Sequence, residues 1–330
     1  MKDSWLSFLK YNPLPALKQT TNPALSYFIR RDLLDETLDP IEKLWTLPEA
    51  LNLLRHQQES GAWPDQHPKK HINSPTNYLL LETYRNIGIL IELYGFNRAH
   101  PSIEKAAEFI FSAESSEGDF RGIYGNQYSP NYSAGILERL VKAGYIDDDR
   151  VHRAFQWFLS NQQRGGGWTL PMQTHEVKTP DWKTIMNSPT IYPFEPEKLF
   201  SHSVTGIVLR AFAAHPQYRN HPGAIKAANL ITQRFFLPDK YTFRKNASYW
   251  KKYSFPFWWA DLISVLDALS LMKLPKENRG IARALDYFKA EQLANGMWSL
   301  DILKNKSLPD LQLWLNFVLC RFIKRFFDLT

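Results

Sequence analysis

The sequence predicts an all-α fold built from repeated helix pairs. Two observations predict it. One apolar helical face recurs five times along the chain, and three of the recurrences end alike, in Gln, a glycine turn and Trp. The clearest unit is Val151–Trp168. Val151, Ala154, Phe155, Phe158 and Leu159 stand at i, i+3, i+4, i+7 and i+8, which is one face of an α-helix. Asp147, Asp148 and Asp149 precede them, where a helix N-terminus favours carboxylates. Arg164 and the glycines at 165–167 break the helix, and Trp168 closes the unit as an apolar plug.

Taken in order, Asn22 and Pro23 predict the cap and first residue of a helix running to about Leu34, and another helix follows Pro40. Leu47, Ala50, Leu51 and Leu54 make the first repeated face, closed by Gln58, Gly61 and Trp63. A polar loop leads to Tyr78–Tyr94, a helix with few charges that ends at Gly95–Phe96. Pro101 starts the next helix, where Ile103, Ala106, Ala107, Ile110 and Phe111 repeat the face and Phe120 takes the Trp place. The glycine exit recurs at Gly144–Tyr145, before the clearest unit. Thr169–Lys198 is the longest irregular stretch, holding Pro171, Pro180, Pro189, Pro193 and Pro196. Its aromatics Trp182, Tyr192 and Phe194 make it a candidate lid at a cavity mouth.

A helix over Ser201–Ala214 follows. Ala224, Ala227, Ala228 and Ile231 repeat the face without a Gly or Trp ending. The connection 238–256 feeds a helix over Trp258–Met272. Ile281, Ala284, Leu285 and Phe288 give the fifth face, whose ending reads as one residue longer, with Gln292, Gly296 and Trp298. Pro309 opens the last helix, to about Phe326. In each pair the nearly uncharged helix belongs inside, buried on more sides. Trp63 and Trp168 are expected between outer helices, far from any cavity. The organisation read from this is one domain over 1–330, with 1–46 an extension and partial hairpin and 47–330 the repeats.

Composition bounds the function. Lys+Arg exceeds Asp+Glu by 40 − 33 = 7. The excess is scattered, so it reads first as solubility and second as attraction to an anionic membrane surface or a diphosphate. No basic run or known module points to nucleic acid. Cys320 is the single cysteine, so no intrachain disulfide forms. The first residues carry Asp3 and lack an apolar run of signal-peptide length, and no stretch approaches the ~20 apolar residues of a membrane span. A cytoplasmic protein is the expectation.

The helix with its Gln–Gly–Trp ending resembles the repeat of squalene–hopene and oxidosqualene cyclases, and the paired-helix repeat is similar to that of protein prenyltransferase β-subunits. The resemblance covers roughly Asn22 to the last residue. It implies an α/α toroid of about five helical hairpins, with inner helices around a central cavity for an isoprenoid or other long apolar molecule. It implies two chemistries whose signatures this chain lacks. There is no DxDD acid motif, and Cys320 has Val318 two residues before it where the zinc-binding pattern has Asp. No HExxH motif is present, so no metal set is expected, and no cofactor is indicated.

The densest unusual cluster is Tyr249–Trp259, seven of eleven residues aromatic, followed at once by Asp261. Aromatic faces line apolar sites and stabilise cations. Asp261 is the candidate acid, since a carboxyl among aromatics is held protonated. Its competing reading is a helix cap. Phe257, Trp258 and Trp259 are the candidate ligand wall. His202, at the mouth of an inner helix, and Tyr78, opening another, are further candidates. His71 is a loop or cavity-rim histidine. Three functions compete: an isoprenoid enzyme of cyclase or transferase type, a non-catalytic lipid-binding or scaffold toroid, and a carbohydrate-active toroid. The last needs paired carboxylates across the cavity, from Glu195 or Glu197 with Asp261 or Asp310.

Overall fold

The computed structural model describes residues 4–71, 74–175, 182–241, 245–303 and 310–328. Asp3, Pro180 and Pro309 lie outside them. Its helices in chain order are α1 (Ser4–Phe8), α2 (Leu14–Leu17), α3 (Pro23–Asp32), α4 (Pro48–Leu54), α5 (Pro68–His71), α6 (Tyr78–Tyr94), α7 (Pro101–Phe111), α8 (Pro130–Lys142), α9 (Asp149–Ser160), α10 (Pro171–Thr174), α11 (Trp182–Met186), α12 (His202–Ala214), α13 (Pro222–Thr232), α14 (Leu262–Leu271), α15 (Arg279–Ala290) and α16 (Leu311–Asp328). A two-residue parallel pair, β1 (Lys252–Tyr253) with β2 (Asp301–Ile302), ties the loop before α14 to the loop before α16.

The helices form an all-α toroid. α3, α6, α8, α12, α14 and α16 pack side by side in that order, and α16 packs on α3, closing the ring. α7, α9 and α13 lie against the inner helix that precedes each, α4 lies on α6, and α15 on α13. Five inner-to-outer hairpins follow one another, as the repeats predict. A sixth position is made from both ends of the chain: α1 and α2 cover α16. There Ser4 Oγ donates to Asp328 Oδ1 at 2.7 Å, and the Phe8 and Phe327 rings stack at 4.6 Å. Among the described residues no helix is long and apolar enough to cross a membrane.

The repeated endings do one structural job. Trp63, Trp168 and Trp298 each donate the indole Nε1–H to the carbonyl ten residues earlier: Leu53 at 2.8 Å, Phe158 at 2.8 Å and Phe288 at 2.6 Å. Each donates its backbone N–H forward to the next inner helix, to Thr83 at 3.0 Å, Thr205 at 2.9 Å and Asn316 at 2.8 Å. Phe120 N–H makes the same forward bond, to Ser133 at 3.1 Å. The turn glycines Gly61, Gly166 and Gly296 have φ of 86°, 110° and 83°, a region other residues rarely adopt.

The glutamine register differs from the sequence reading. The residues that act alike are Gln57, Gln162 and Gln292, each six before its Trp. Each donates to the carbonyl four residues on and to the next segment around the ring: Ser102 at 2.8 Å, Gly223 at 2.9 Å and Tyr11 at 2.8 Å. Counted this way the ending at Gln292 carries no extra residue. In the second repeat Glu114 holds this place and pairs with Arg153 at 2.7 Å.

Two further differences bear on the site. The helix expected over Trp258–Met272 begins at Leu262, because Asp261 caps it and leaves residues 254–260 irregular. Trp63 borders the larger cavity, whereas Trp168 is wholly buried and lines neither cavity described below.

Candidate functional site

Residues 254–260 run inside the ring, and buried charges hold them there. Arg210, on α12, donates to the Trp259 carbonyl at 3.0 Å and to the Phe257 carbonyl at 2.8 Å. Arg139, on α8, reaches the Phe257 carbonyl at 3.4 Å. Irregular backbone inside a protein needs such partners, since it has no ladder of its own. Glu138 grips Arg210 through Nε at 3.1 Å and Nη2 at 2.9 Å. Lys142 contacts Glu138 at 2.8 Å and Glu92 at 2.5 Å, and Arg139 also pairs with Glu92. Burial alone would raise Glu138, but Arg210, Lys142 and Arg139 outweigh it and hold the carboxyl well below the ordinary range. The same balance, with Lys142 and Arg139, lowers Glu92.

This segment forms one wall of a cavity of about 1040 Å³. Trp258 and Trp259 meet Tyr84 of α6, Tyr132 of α8 and Ile207 of α12 around it. Trp258 packs edge-on to Tyr84 at 5.4 Å, and Tyr84 edge-on to Tyr132 at 6.1 Å. Burial raises the phenol pKa of Tyr84 and of Tyr132, so both stay neutral. The rest of the lining mixes polar and apolar side chains: Glu82, Arg85 and Asn86 share a stripe of α6 with Ile89, Asn131 comes from α8, His56 and Gln66 follow α4, and Leu53, Trp63, Tyr94 and Leu303 are apolar or aromatic. The cavity is therefore mixed: aromatic and aliphatic side chains line it together with a few charged and amide groups.

Asp261 does not line the cavity. Its Oδ1 accepts the Ser264 N–H at 2.8 Å, its own N–H donates to Ser264 Oγ at 2.9 Å, and its Oδ2 accepts the Ser254 N–H at 3.4 Å. This is a capping box, and the carboxyl is spent on it. Burial pushes Asp261 up to about 7, against those hydrogen bonds and the charge of Arg210. Phe257 also sits behind the wall, buried edge-on against Phe255 at 5.2 Å, while its carbonyl serves the arginines. His202 lies elsewhere, buried 3.6 Å from Asp239 and against the Trp250 ring; burial pulls it down to about 4 and keeps it neutral. Tyr78 stacks on His71 with ring centres 3.7 Å apart and lines a second, smaller cavity.

Of the named candidates, the structure brings together Trp258 and Trp259 at the cavity. The carboxylate pairs of the carbohydrate reading do not meet across it. Glu195 faces His175 at 3.5 Å, Glu197 pairs with Arg164 at 2.7 Å, and Asp310 accepts from Asn22 at 3.2 Å. Sequence reasoning missed Glu138, Arg139 and Arg210. Their signal was present: charges inside otherwise apolar helices demand buried partners.

No protein-family model matches the chain, and no curated protein matches it. Solved structures similar to it include a variant of the type II terpene cyclase MstE from Scytonema in complex with merosterolic acid A (product), at 13% identity over 87% of this chain and 99% of that one, TM-score 0.34. Another MstE variant, in complex with geranylgeranyl dihydroxybenzoate (substrate), is 13% identical over 88% and 100%, TM-score 0.31. A protein from Actinoplanes is 10% identical over 83% and 96%, TM-score 0.30.

Proposed function

We propose that this chain binds one long apolar molecule of isoprenoid type, with a polar end, in the larger cavity. The observation that carries the reading is that Trp258, Trp259, Tyr84 and Tyr132 line one space together with Arg85, Asn86 and Asn131. An aromatic wall removes an apolar chain from water, and a few convergent polar groups orient the other end. The volume suits a ligand of drug or lipid size. Asp261, engaged as a cap behind the wall, is in this reading a brace for Trp258 and Trp259 and not a proton donor. Binding, rather than acid-initiated cyclisation, is the role supported.

The test is titration of the protein with farnesol and geranylgeraniol, followed by tryptophan fluorescence, together with native mass spectrometry of the purified chain. Saturable quenching that Trp258→Ala weakens supports the reading. Absence of retained lipid, with no response to either alcohol, sinks it.

A further inference from the structure

The second cavity, about 610 Å³, lies between the start of α6 and α11. Its lining includes three lysines, Lys69, Lys70 and Lys183, and the hydroxyl-bearing Ser74, Thr76 and Tyr78, beside Pro75 and Met186. Among the described residues none of its lining is acidic. The nearby Asp65 is engaged by His71 Nδ1 at 2.7 Å. None of the three lysines pairs with a carboxylate among the described residues. Elsewhere in the chain, Lys142, Lys252 and Lys324 each find one within 2.8 Å. Three lysines around one groove, with no carboxylate partner among the described residues, make a locally positive surface that favours a multivalent anion.

We propose that this groove binds the phosphate group of a phosphorylated ligand, with Lys69, Lys70 and Lys183 neutralising it and Thr76 and Tyr78 donating hydrogen bonds. Lysine serves phosphate as a point charge, and hydroxyls supply direction. The placement adds a consequence. Lys69 and Lys70 belong to α5, while Lys183 and Met186 belong to α11, so a bound phosphate ties the 182–192 segment to the start of α6. Buried Gln127 already pins that segment through the carbonyls of Ile185 at 3.1 Å and Thr190 at 2.8 Å. The inference does not depend on the isoprenoid reading, since it concerns another cavity and another chemistry.

The experiment is calorimetric titration of the full chain with inorganic pyrophosphate at low salt, for wild type, Lys183→Gln, the combined Lys69→Gln, Lys70→Gln and Lys183→Gln variant, and Lys18→Gln as an exposed control. Expected is salt-sensitive binding that falls about tenfold in Lys183→Gln, as charge-assisted hydrogen bonds require, and is unchanged in the control. Melting curves establish that each variant is folded. Cosedimentation with phosphatidic acid vesicles that pyrophosphate displaces assigns the phosphate to a lipid headgroup. Pyrophosphate binding without cosedimentation assigns it to a free phosphorylated compound. Equal pyrophosphate binding by wild type and the folded triple variant, or none by wild type, overturns the site.

Discussion

Arg210 donates through Nη1 to the carbonyl oxygen of Trp259 at 3.0 Å, so a charge on α12 sets the position of an aromatic on the cavity wall. The contact joins the buried ion network to the proposed ligand site. Arg210→Met leaves Glu138 short of its main partner in a dry interior and is expected to cost about 3–5 kcal/mol. It also frees the Phe257 and Trp259 carbonyls. Urea denaturation reads the first effect, and greater acrylamide quenching of tryptophan in the folded variant reads the second. Unchanged stability and quenching would show that the network does not hold the wall.

Trp168 is wholly buried and hydrogen-bonded at both its indole and its backbone. Trp168→Ala is expected to cost about 3–5 kcal/mol, as a large cavity-forming change. A melting curve equal to wild type would remove the structural meaning of the repeated endings.

The two adjacent glutamines of the first ending separate by test. Gln57 bridges the Gly61 and Ser102 carbonyls, whereas Gln58 is exposed. Gln57→Ala should cost about 1–2 kcal/mol, for two lost hydrogen bonds. Gln58→Ala should stay within about 0.5 kcal/mol, as surface changes do. Chemical denaturation of the pair decides, and the reverse order would refute the register.

Asp261 makes stability fall as pH rises. Its folded pKa, raised to about 7, lies above the unfolded value near 3.9, so the fold prefers the protonated form. Its contribution is intact below about pH 4 and is lost as pH climbs through about 7. Asp261→Asn keeps an N-cap and cannot ionise. The variant should therefore gain on wild type between pH 4 and pH 8 in thermal melts. A gap that stays constant with pH would contradict the burial argument.

The segment over 182–192 should exchange its amide hydrogens slowly where Gln127 holds it. Tyr192 N–H donates to Gln127 Oε1 at 3.0 Å. Gln127→Ala should speed exchange at Tyr192 while α12 and α14 stay protected. Fast exchange at Tyr192 in wild type would show that the clamp does not form in solution.

The outer helices were legible in the sequence because apolar residues three and four apart share a face on a helix and scatter to both faces of a strand. The helix over Tyr78–Tyr94 was legible with its exit at Gly95, whose φ of 64° ends it. The glutamine register was not, because Gln57–Gln58 and Gln162–Gln163 are doubled and only hydrogen bonds tell the partners apart. At the site, the aromatic cluster was read, but not which rings face the cavity. Consecutive residues in an irregular segment follow no period, so Phe257 turned inward while Trp258 and Trp259 did not. Asp261 followed by Ser264 carried a capping pattern of short side chains. The direction in which the Asp261 carboxyl points, into the cap, is not encoded by spacing.

The meeting of Ser4 with Asp328 makes the molecule a hoop whose buckle is formed by the two ends of the described chain. Fraying at either end releases the other and uncovers the outer side of α16, while the packing of α16 on α3 still closes the ring. Because the ends already touch, a short linker from 328 to 4, with a new break in the turn at Gly144–Ile146, preserves every inner-helix contact in a different chain order. A permuted chain of this kind moves the two ends to the α8–α9 junction. It separates what the ring owes to closure from what it owes to the order of its repeats.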